Sequence, residues 1–356
     1  MPDPVQIVYC GGTIGSDGTP LAPLPAGVFT ARFEAAVAAG ALGSVPLPPI
    51  RWRGLEPPID STDAVPADWA RIARAVIEGA DDGERAAGSI VLHGTDTLAN
   101  SAAALALLTT LWEAAAPSAM LAAPVVVTGS MRPMFEGAGL RPGTDAPGNL
   151  ATAFDAVADG VPGVRVAFAG ATMPGDHVLK VDTRADAAFA VPLPHPAQAR
   201  TKGHADPAAL LAQLARLTPH LGAKAVPIFA PQPESGAAQA AVLAGLVQGL
   251  AERLGGLILA GFGQGNLPAA EHLSPILSNL AQRGVPVVIS TQVPAGGVAS
   301  EAYAAGAWLT DCGVIGGGCR TLPAIHATVH VALALAAAEG WDRDETRHFI
   351  GREMAR

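Results

Sequence analysis

The chain has 356 residues, of which 50% are hydrophobic and 15% are charged, and its formal net charge is -9. This length and hydrophobic content suit two domains that each bury a core, and they exclude a largely disordered chain. The acidic balance argues against nucleic acid or an anionic membrane as the main partner, because no basic stripe is available to neutralise phosphates.

Short apolar runs rich in β-branched residues alternate along the chain with helix-like segments. We predict strands at 5–10, 88–92, 124–128, 163–170, 223–230, 255–260 and 285–290. We predict helices at 66–79, 97–115, 147–159, 235–254, 271–283 and 321–339. Strands that alternate with helices need crossover connections. The predicted fold class is therefore α/β, with a larger N-terminal, doubly wound, mostly parallel sheet domain and a smaller C-terminal α/β domain.

A segment rich in proline and glycine interrupts this pattern between about Pro192 and His220, and it contains one short helix. Such composition is typical of a connection between domains. We therefore predict an N-terminal catalytic domain at 1–195, a linker at 196–221 and a C-terminal domain at 222–356. The Ala-rich stretch from Ser101 to Ala123 is too often interrupted by polar residues to span a membrane, and we expect a buried helix that runs into a strand.

The cysteines and the N-terminus bear on the compartment. Cys10, Cys312 and Cys319 follow neither a C-x-x-C nor a Cys/His zinc spacing, which favours reduced thiols over disulfides or a metal site. The run 5–10 follows Met1 without the charged region and the long apolar segment of a secretion signal. We expect a cytoplasmic protein that uses no metal and no other cofactor.

The first strand is followed by Gly11-Gly12-Thr13-Ile14-Gly15. In open α/β sheets, ligands bind beyond the carboxyl ends of the strands. This loop places a hydroxyl among glycines whose backbone can approach a ligand closely. Thr13 is therefore a candidate nucleophile, and a phosphate-binding loop or a plain turn is the alternative.

The later strands also end in polar residues. The second leads into His93-Gly94-Thr95-Asp96-Thr97, where a hydroxyl beside a carboxylate suits amide cleavage, although Thr95 or Asp96 could instead cap the next helix. The third leads into Thr128-Gly129-Ser130-Met131-Arg132-Pro133, and Lys180 follows the fourth. A lysine among apolar neighbours can hold or move a proton, although an isolated lysine is more often solvated.

Together with Ile59-Asp60-Ser61-Thr62-Asp63, these motifs resemble the bacterial asparaginase and glutaminase family in order and separation. The resemblance covers nearly the whole chain and continues more loosely through 145–150, 261–267 and Val293-Pro294. It implies an amidohydrolase that converts L-asparagine into L-aspartate and ammonia through a threonine acyl-enzyme. A broader glutaminase-asparaginase, an amidase for an unusual amide, and a non-catalytic amino-acid-binding sensor are the alternatives.

The resemblance also implies roles for single residues. Thr13 matches the nucleophile, and Thr95, Asp96 and Lys180 match a hydrogen-bonded chain that moves protons. Asp96 would also bind the α-ammonium of the substrate, and Ser61 would bind its α-carboxylate. The backbone at Gly94, Thr95 and Ser130 would form the oxyanion hole. Further substrate contacts are expected from Gly12, Asp60 and Thr62.

In this family the C-terminal domain of a neighbouring subunit completes the pocket. Asn266 and Glu301 stand roughly where those groups are expected. The resemblance therefore implies a homodimer or homotetramer with sites near the subunit interface, a small amino-acid amide as the substrate, and no nucleic-acid or membrane partner.

The chain departs from the family pattern in the segment Gly15–Phe29, which resembles the family's mobile lid but lacks its tyrosine. Gly18 and Gly27 are candidate hinges. Tyr303, a water molecule or the chain from Thr95 to Lys180 could serve Thr13 instead. A second departure is Cys319, where an acidic residue is expected.

Two further patterns have weaker interpretations. His326 and His330 stand four residues apart on a predicted helix, a spacing that can bind a metal, but a helix-surface or interface pair is the more common arrangement. The loop Gly261-Phe262-Gly263-Gln264-Gly265 has its third glycine one position too early for a dinucleotide fingerprint.

Overall fold

The computed structural model describes residues 3–42, 47–81, 86–192, 201, 203–268, 270–298 and 304–356. The chain folds as two compact units. The N-terminal unit comprises Met1–Trp112, Pro117–Val191 and Ala199–Ala215, and the C-terminal unit comprises Arg216–Arg356 with two short segments. The linker boundaries at 196 and 221 remain a prediction, and α5 (defined below) lies within that segment.

Up to residue 217 the elements are, in chain order, β1 (Val5–Gly11), β2 (Ser16–Asp17), β3 (Ala22–Pro23), α1 (Ala26–Ala38), β4 (Ile50–Ile59), α2 (Pro66–Asp81), β5 (Gly88–Leu92), α3 (Leu98–Leu108), β6 (Thr110–Glu113), β7 (Ala116–Met120), β8 (Pro124–Thr128), β9 (Phe135–Glu136), β10 (Gly139–Leu140), α4 (Ala146–Ala158), β11 (Gly163–Phe168), β12 (Ala171–Pro174), β13 (Leu179–Lys180), β14 (Phe189–Ala190) and α5 (Pro207–Leu217).

The main sheet of the N-terminal unit has, among the described residues, six strands in the order β12-β11-β8-β5-β1-β4. All neighbours in it run parallel except β11 and β12. Strand β1 is buried along its whole length, as its sequence, apolar except at Gln6, predicts for a central strand. The predicted doubly wound, mostly parallel sheet is confirmed.

The strand order fixes where a ligand can bind. From β1 the chain crosses to β4 on one side, and it then returns past β1 to β5, β8 and β11 on the other side. The carboxyl ends of β1 and β5 therefore lie where the winding reverses direction. In doubly wound sheets this switch point leaves a crevice that no crossover connection covers.

The C-terminal unit repeats the architecture on a smaller scale. Its elements are β15 (Ile228–Phe229), α6 (Gly236–Leu250), β16 (Leu257–Gly261), α7 (Ala270–Gln282), β17 (Val287–Thr291), α8 (Ala304–Asp311), β18 (Ile315–Gly316), α9 (Leu322–Glu339) and α10 (Arg343–Met354). Its four strands in the described residues pair in parallel in chain order. Leucine, isoleucine and valine side chains from the strands and helices form its core. The predicted smaller C-terminal α/β domain is confirmed.

One described helix, α9, is long and apolar enough to cross a membrane by length and composition alone. More than half of it is buried inside the protein, and it packs against β17 and α10. Its apolar character is therefore that of a core helix.

The predicted helix at 97–115 is too long, because α3 ends at Leu108 and a hairpin of β6 and β7 follows. The hydroxyls of Thr109 and Thr110 donate to the carbonyls of Leu105 and Ala106 in the last turn of α3, where the backbone N–H of Thr109 also donates to Leu105. The hairpin turns at Ala114 and Ala115, which have positive φ of 44° and 60°. Turns of this conformation usually carry asparagine or glycine, so the sequence gives no sign of this one.

The candidate hinge Gly27 does not lie in a loop. Gly27 lies in the first turn of α1, a helix that the sequence prediction missed. Helix α1 is held by Phe29 and Phe33, which are buried one turn apart, and the ring of Phe29 stacks on Tyr9 at 4.5 Å between centroids. Gly18 does lie in a turn, between β2 and β3, with a φ of 91°.

Helix α2 lies so close to β1 that Gly79 has no space for a side chain. A β-carbon at Gly79 would lie 1.3 Å from Oε1 of Gln6. Gln6 is fully buried and its amide donates to the carbonyl of Ala75 at 2.9 Å, so it cannot turn away without breaking that hydrogen bond.

We therefore expect Gly79→Ala to lower the free energy of unfolding by roughly 1–3 kcal/mol through overpacking. The matched control is Gly148→Ala in α4, where a β-carbon meets nothing within 4 Å. That change should stabilise the protein by up to about 1 kcal/mol through helix propensity. Urea unfolding followed by circular dichroism measures both, and equal effects of the two variants would contradict the packing argument.

Candidate active site

The loops after β1 and β5 meet at the switch point of the main sheet. Gly12, with a φ of 79°, follows β1, and a β-carbon on it would lie 2.2 Å from the backbone nitrogen and Cα of Gly94. Only two residues without side chains can approach so closely. This contact brings Thr13 and Thr95, each the next residue in its loop, to the same end of the sheet.

Thr13 begins a single 3₁₀ turn, Thr13–Gly15. The turn is fixed from both ends, since the backbone N–H of Gly15 and the hydroxyl of Ser16 both donate to the carbonyl of Gly12, at 3.0 and 2.9 Å. Ile14 is fully buried beneath it, whereas Thr13 is half-buried. Within the described residues, no hydrogen bond joins the Thr13 hydroxyl to another side chain. The hydrogen bonds of the turn, and not those of the side chain, therefore fix the position of the Thr13 hydroxyl at the crevice.

The segment after β4 lies against Gly94. Ser61 is 4% exposed, and a β-carbon on Gly94 would lie 2.3 Å from its hydroxyl oxygen. The hydroxyl of Thr97 donates to the carbonyl of Ser61 at 2.7 Å, which ties this segment to the start of α3. Asp60 and Thr62 are exposed, and the Asp60 carboxylate accepts the Thr62 N–H at 3.0 Å.

Lys180 joins Thr95 and Asp96. Its ammonium donates to the Thr95 hydroxyl oxygen at 3.0 Å and to Oδ1 of Asp96 at 2.6 Å. Thr95 is 5% exposed, whereas the side chain of Asp96 is 60% exposed. The second carboxylate oxygen of Asp96 accepts the hydroxyl of Thr62 at 3.4 Å. Three residues predicted to handle protons therefore form one connected group, with a carboxylate open to a cationic ligand.

His93 supports the loop after β5, a role that the sequence did not predict. Its Nδ1 lies 2.7 Å from the carbonyl of Gly94, and its Nε2 lies 2.9 Å from the Ser101 hydroxyl of α3. Burial lowers the pKa of His93, so the neutral ring donates from Nδ1 and accepts at Nε2. The clue in the sequence was a histidine directly after a buried strand and eight residues before a serine on the next helix.

Ser130 lies in the loop after β8 and is fully buried, with its hydroxyl bonded to the carbonyl of Arg132. Asp145 accepts the backbone N–H groups of Met131 and Arg132 at 2.8 and 3.0 Å, and Asn149 donates to the carbonyl of Gly129 at 3.0 Å. The loop is therefore held by the first turn of α4. Residues 145–150 match the family pattern, and these contacts show that two of them support the loop that carries Ser130.

The remaining predicted residues belong to the C-terminal unit. Asn266 follows β16 in a tight loop, where its backbone carbonyl accepts the N–H of Phe262 at 2.9 Å. Its side-chain oxygen is buried and has no hydrogen-bond partner within the described residues. Glu301 and Tyr303 lie outside the described residues.

His326 and His330 lie together on α9, with their rings edge to face and 4.6 Å between centroids. Across the described ranges, no group of three or more His, Cys, Asp or Glu side chains is placed to bind a metal ion. Burial, followed by the proximity of His326, lowers the pKa of His330 to about 3. The pair therefore stays neutral near neutral pH.

This shift predicts a pH dependence of stability. The unfolded chain takes up a proton at the usual histidine pKa of about 6.5, whereas the folded chain resists it, so stability falls as the pH drops below that value. His330 contributes about 2 kcal/mol of this loss between pH 6.5 and 5. His330→Leu should flatten the decline by that amount, as measured by urea unfolding at each pH. A slope unchanged from the wild type would contradict the assignment.

Comparison with known proteins identifies the family of both parts of the chain. Residues 4–207 match the model of the asparaginase N-terminal domain, and residues 237–350 match that of the glutaminase/asparaginase C-terminal domain.

Similar proteins cover most of the chain. L-asparaginase of Thermococcus kodakarensis is 33% identical over 302 residues, which is 83% of each chain. L-asparaginase 1 of Escherichia coli K12 is 30% identical over 339 residues, covering 93% of this chain and 91% of that protein. The crystal structure of L-asparaginase I from Vibrio cholerae superposes with a TM-score of 0.75 at 27% identity, over 98% of this chain and 97% of that one.

Proposed function

The chain belongs to the asparaginase family and is an asparaginase enzyme, and from that premise we propose that it hydrolyses L-asparagine to L-aspartate and ammonia through an ester formed on Thr13. The observation that carries this proposal is the position of Lys180, whose ammonium contacts both Thr95 and Asp96. This arrangement separates the roles of the two threonines.

The Lys180 contact makes Thr95 a poor nucleophile. A hydroxyl oxygen that accepts a hydrogen bond from an ammonium has its lone pair engaged, and its buried position limits access. Thr13 is more exposed than Thr95, and no described side chain bonds its hydroxyl. The geometry therefore favours Thr13 as the attacking group and Thr95 as its proton-handling partner.

In the first step, the Thr13 oxygen attacks the side-chain amide carbon while its proton passes to the Thr95 oxygen. Thr95 passes its own proton to Lys180, whose ammonium gives one of its protons to the Asp96 carboxylate, the final acceptor. The carbonyl oxygen becomes an oxyanion, which N–H groups of the glycine-rich loops after β1 and β5 can stabilise. The carbon–nitrogen bond then breaks, the nitrogen takes the proton back through the same chain, and ammonia leaves. A water molecule attacks the resulting ester, which releases L-aspartate and restores the Thr13 hydroxyl.

The charges of the site suit the two ends of an amino acid. Asp96 presents an exposed carboxylate to the α-ammonium, and Lys180 and Thr62 hold that carboxylate in place. The α-carboxylate would be bound by Ser61 and by the backbone at the positive end of α3. Both contacts position the amide for attack.

We also propose a homodimer or homotetramer in which a neighbouring subunit supplies Asn266 and Glu301. Asn266 follows the carboxyl end of β16, the edge of a parallel sheet where ligands bind, and this position supports the proposal. We propose a cytoplasmic location, which the free thiols of Cys10, Cys312 and Cys319 favour.

Single substitutions test the assigned roles. We expect Thr13→Ala and Thr95→Val each to lower kcat roughly a thousandfold or more, because both act in one catalytic unit. Lys180→Met should lower kcat by about 10²–10⁴-fold through loss of proton transfer. Ammonia release from asparagine measures all three, and circular dichroism checks that each variant is folded.

The control is Thr152→Ala, which removes an exposed hydroxyl bonded to the carbonyl of Gly148 in α4. It should keep wild-type activity. Near-normal turnover by Thr13→Ala would overturn the assignment of the nucleophile.

A substrate panel tests the proposed specificity. We expect ammonia from L-asparagine and little from its D-isomer, because the α-ammonium and α-carboxylate contacts fix one configuration. L-glutamine in the same assay distinguishes the broader glutaminase-asparaginase. Binding of amino acids without turnover of any amide would contradict the proposal and favour a sensor.

A further inference from the structure

Tyr9 carries a buried hydroxyl that the proposed mechanism does not use. Its side chain is fully buried on β1, and its ring stacks on Phe29 at 4.5 Å with an interplanar angle of 13°. The hydroxyl donates to the carbonyl of Leu24 at 2.8 Å and lies 3.3 Å from the carbonyl of Gly15. The phenol hydroxyl therefore has two backbone carbonyls within reach as hydrogen-bond acceptors.

Those two carbonyls belong to the two ends of one loop. Residues Gly15–Leu24, hereafter the lid loop, contain the small hairpin of β2 and β3. The N–H of Leu24 donates to the carbonyl of Gly15 at 2.9 Å, which brings the ends together. A β-carbon on Gly15 would lie 2.2 Å from the Tyr9 hydroxyl oxygen. We call the place where Gly15 and Leu24 meet the neck of the lid loop, and the phenol lies directly against it.

The neck of the lid loop is also the end of the turn that carries Thr13. Gly15 closes the turn Thr13–Gly15 through its N–H to Gly12, and the carbonyl of Ile14 accepts the N–H of Met134 at 3.0 Å. A displacement of Gly15 would therefore move Thr13, only two residues away. The Tyr9 hydroxyl holds Gly15 at this end, and the Ser16 hydroxyl holds the carbonyl of Gly12 at the start of the turn.

We propose that Tyr9 is a positioning residue for Thr13, because its hydroxyl fastens the neck of the lid loop and so fixes the turn that presents the nucleophile. This inference rests on the proposed role of Thr13. It gives the chain an internal phenol that acts on the lid loop, although the loop itself has no tyrosine.

The contacts of Tyr9 exclude a role as the base. Its hydroxyl faces main-chain carbonyls, which only accept hydrogen bonds, so the phenol must keep its proton to bond them. Burial, followed by the nearby Cys10 and Glu56, raises the pKa of Tyr9. The hydroxyl is therefore a permanent donor at any pH where the enzyme would work.

The test is Tyr9→Phe, which removes the hydroxyl and keeps the ring that stacks on Phe29. The lid loop remains tied to α1 by the ion pair of Asp17 and Arg32, at 2.6 Å, so the variant should fold. We expect amide hydrogen exchange in residues 16–24 to become about tenfold faster, the effect of one lost hydrogen bond. We expect kcat for asparagine to fall about tenfold, with the wild-type pH profile retained.

The matched control is Thr109→Val, which removes another buried hydroxyl of the N-terminal unit, bonded to the carbonyl of Leu105 at 2.8 Å. It should lose a similar amount of thermal stability but keep wild-type exchange in the lid loop and wild-type kcat. A merely structural Tyr9 would behave in the same way as this control.

Three results would overturn the proposal. They are unchanged exchange in the lid loop of Tyr9→Phe, faster exchange with unchanged kcat, and a pH profile that loses one of its limbs, which would make Tyr9 a proton carrier. An inactive wild-type enzyme would instead overturn the proposed function, and the exchange experiment would still decide whether Tyr9 fastens the lid loop.

Discussion

The backbones of Gly12 and Gly94 meet so closely that a β-carbon on Gly12 has no space, and the Ser61 side chain blocks a β-carbon on Gly94. The strand order makes this contact possible, since β1 and β5 are adjacent and parallel and the chain reverses its winding between them. Because each glycine is followed by a threonine, one contact places two hydroxyls at the same edge of the sheet. Ser61 lies at the same place, with its hydroxyl packed against Gly94.

The charge of Lys180 distinguishes the two threonine side chains, Thr13 and Thr95. Lys180 comes from the short strand β13, far along the chain, and its ammonium reaches Thr95 and Asp96 together. Without that ammonium, Thr13 and Thr95 would be two hydroxyls on two glycine-rich loops. With it, the proposed mechanism makes Thr95 part of a proton-transfer group, leaves Thr13 free to attack, and uses Asp96 to bind a cation.

The sequence predicted the central strands and the polar loops after them because both are local properties. A mostly apolar run such as 5–10 favours a buried strand or helix segment, and glycine next to threonine after such a run indicates a ligand-binding turn. Helix α1 was missed although Phe29 and Phe33 have helical spacing, because the neighbouring prolines and glycines suggested a loop. Helix α10 was missed although Asp342 and Glu345 form a capping box, which is a local signal.

Other features depend on contacts between distant residues and could not be read from the sequence. Tyr9 was assigned to a strand interior, and only the fold shows that its hydroxyl meets the carbonyls of Gly15 and Leu24. His93 likewise gains its role from Ser101 one helix away. Acid-quenching the enzyme during turnover of asparagine, followed by peptide mapping by mass spectrometry, shows which residue is the nucleophile. We expect an aspartyl ester on the peptide that contains Thr13, and an ester on Thr95 or on any other residue would contradict that role.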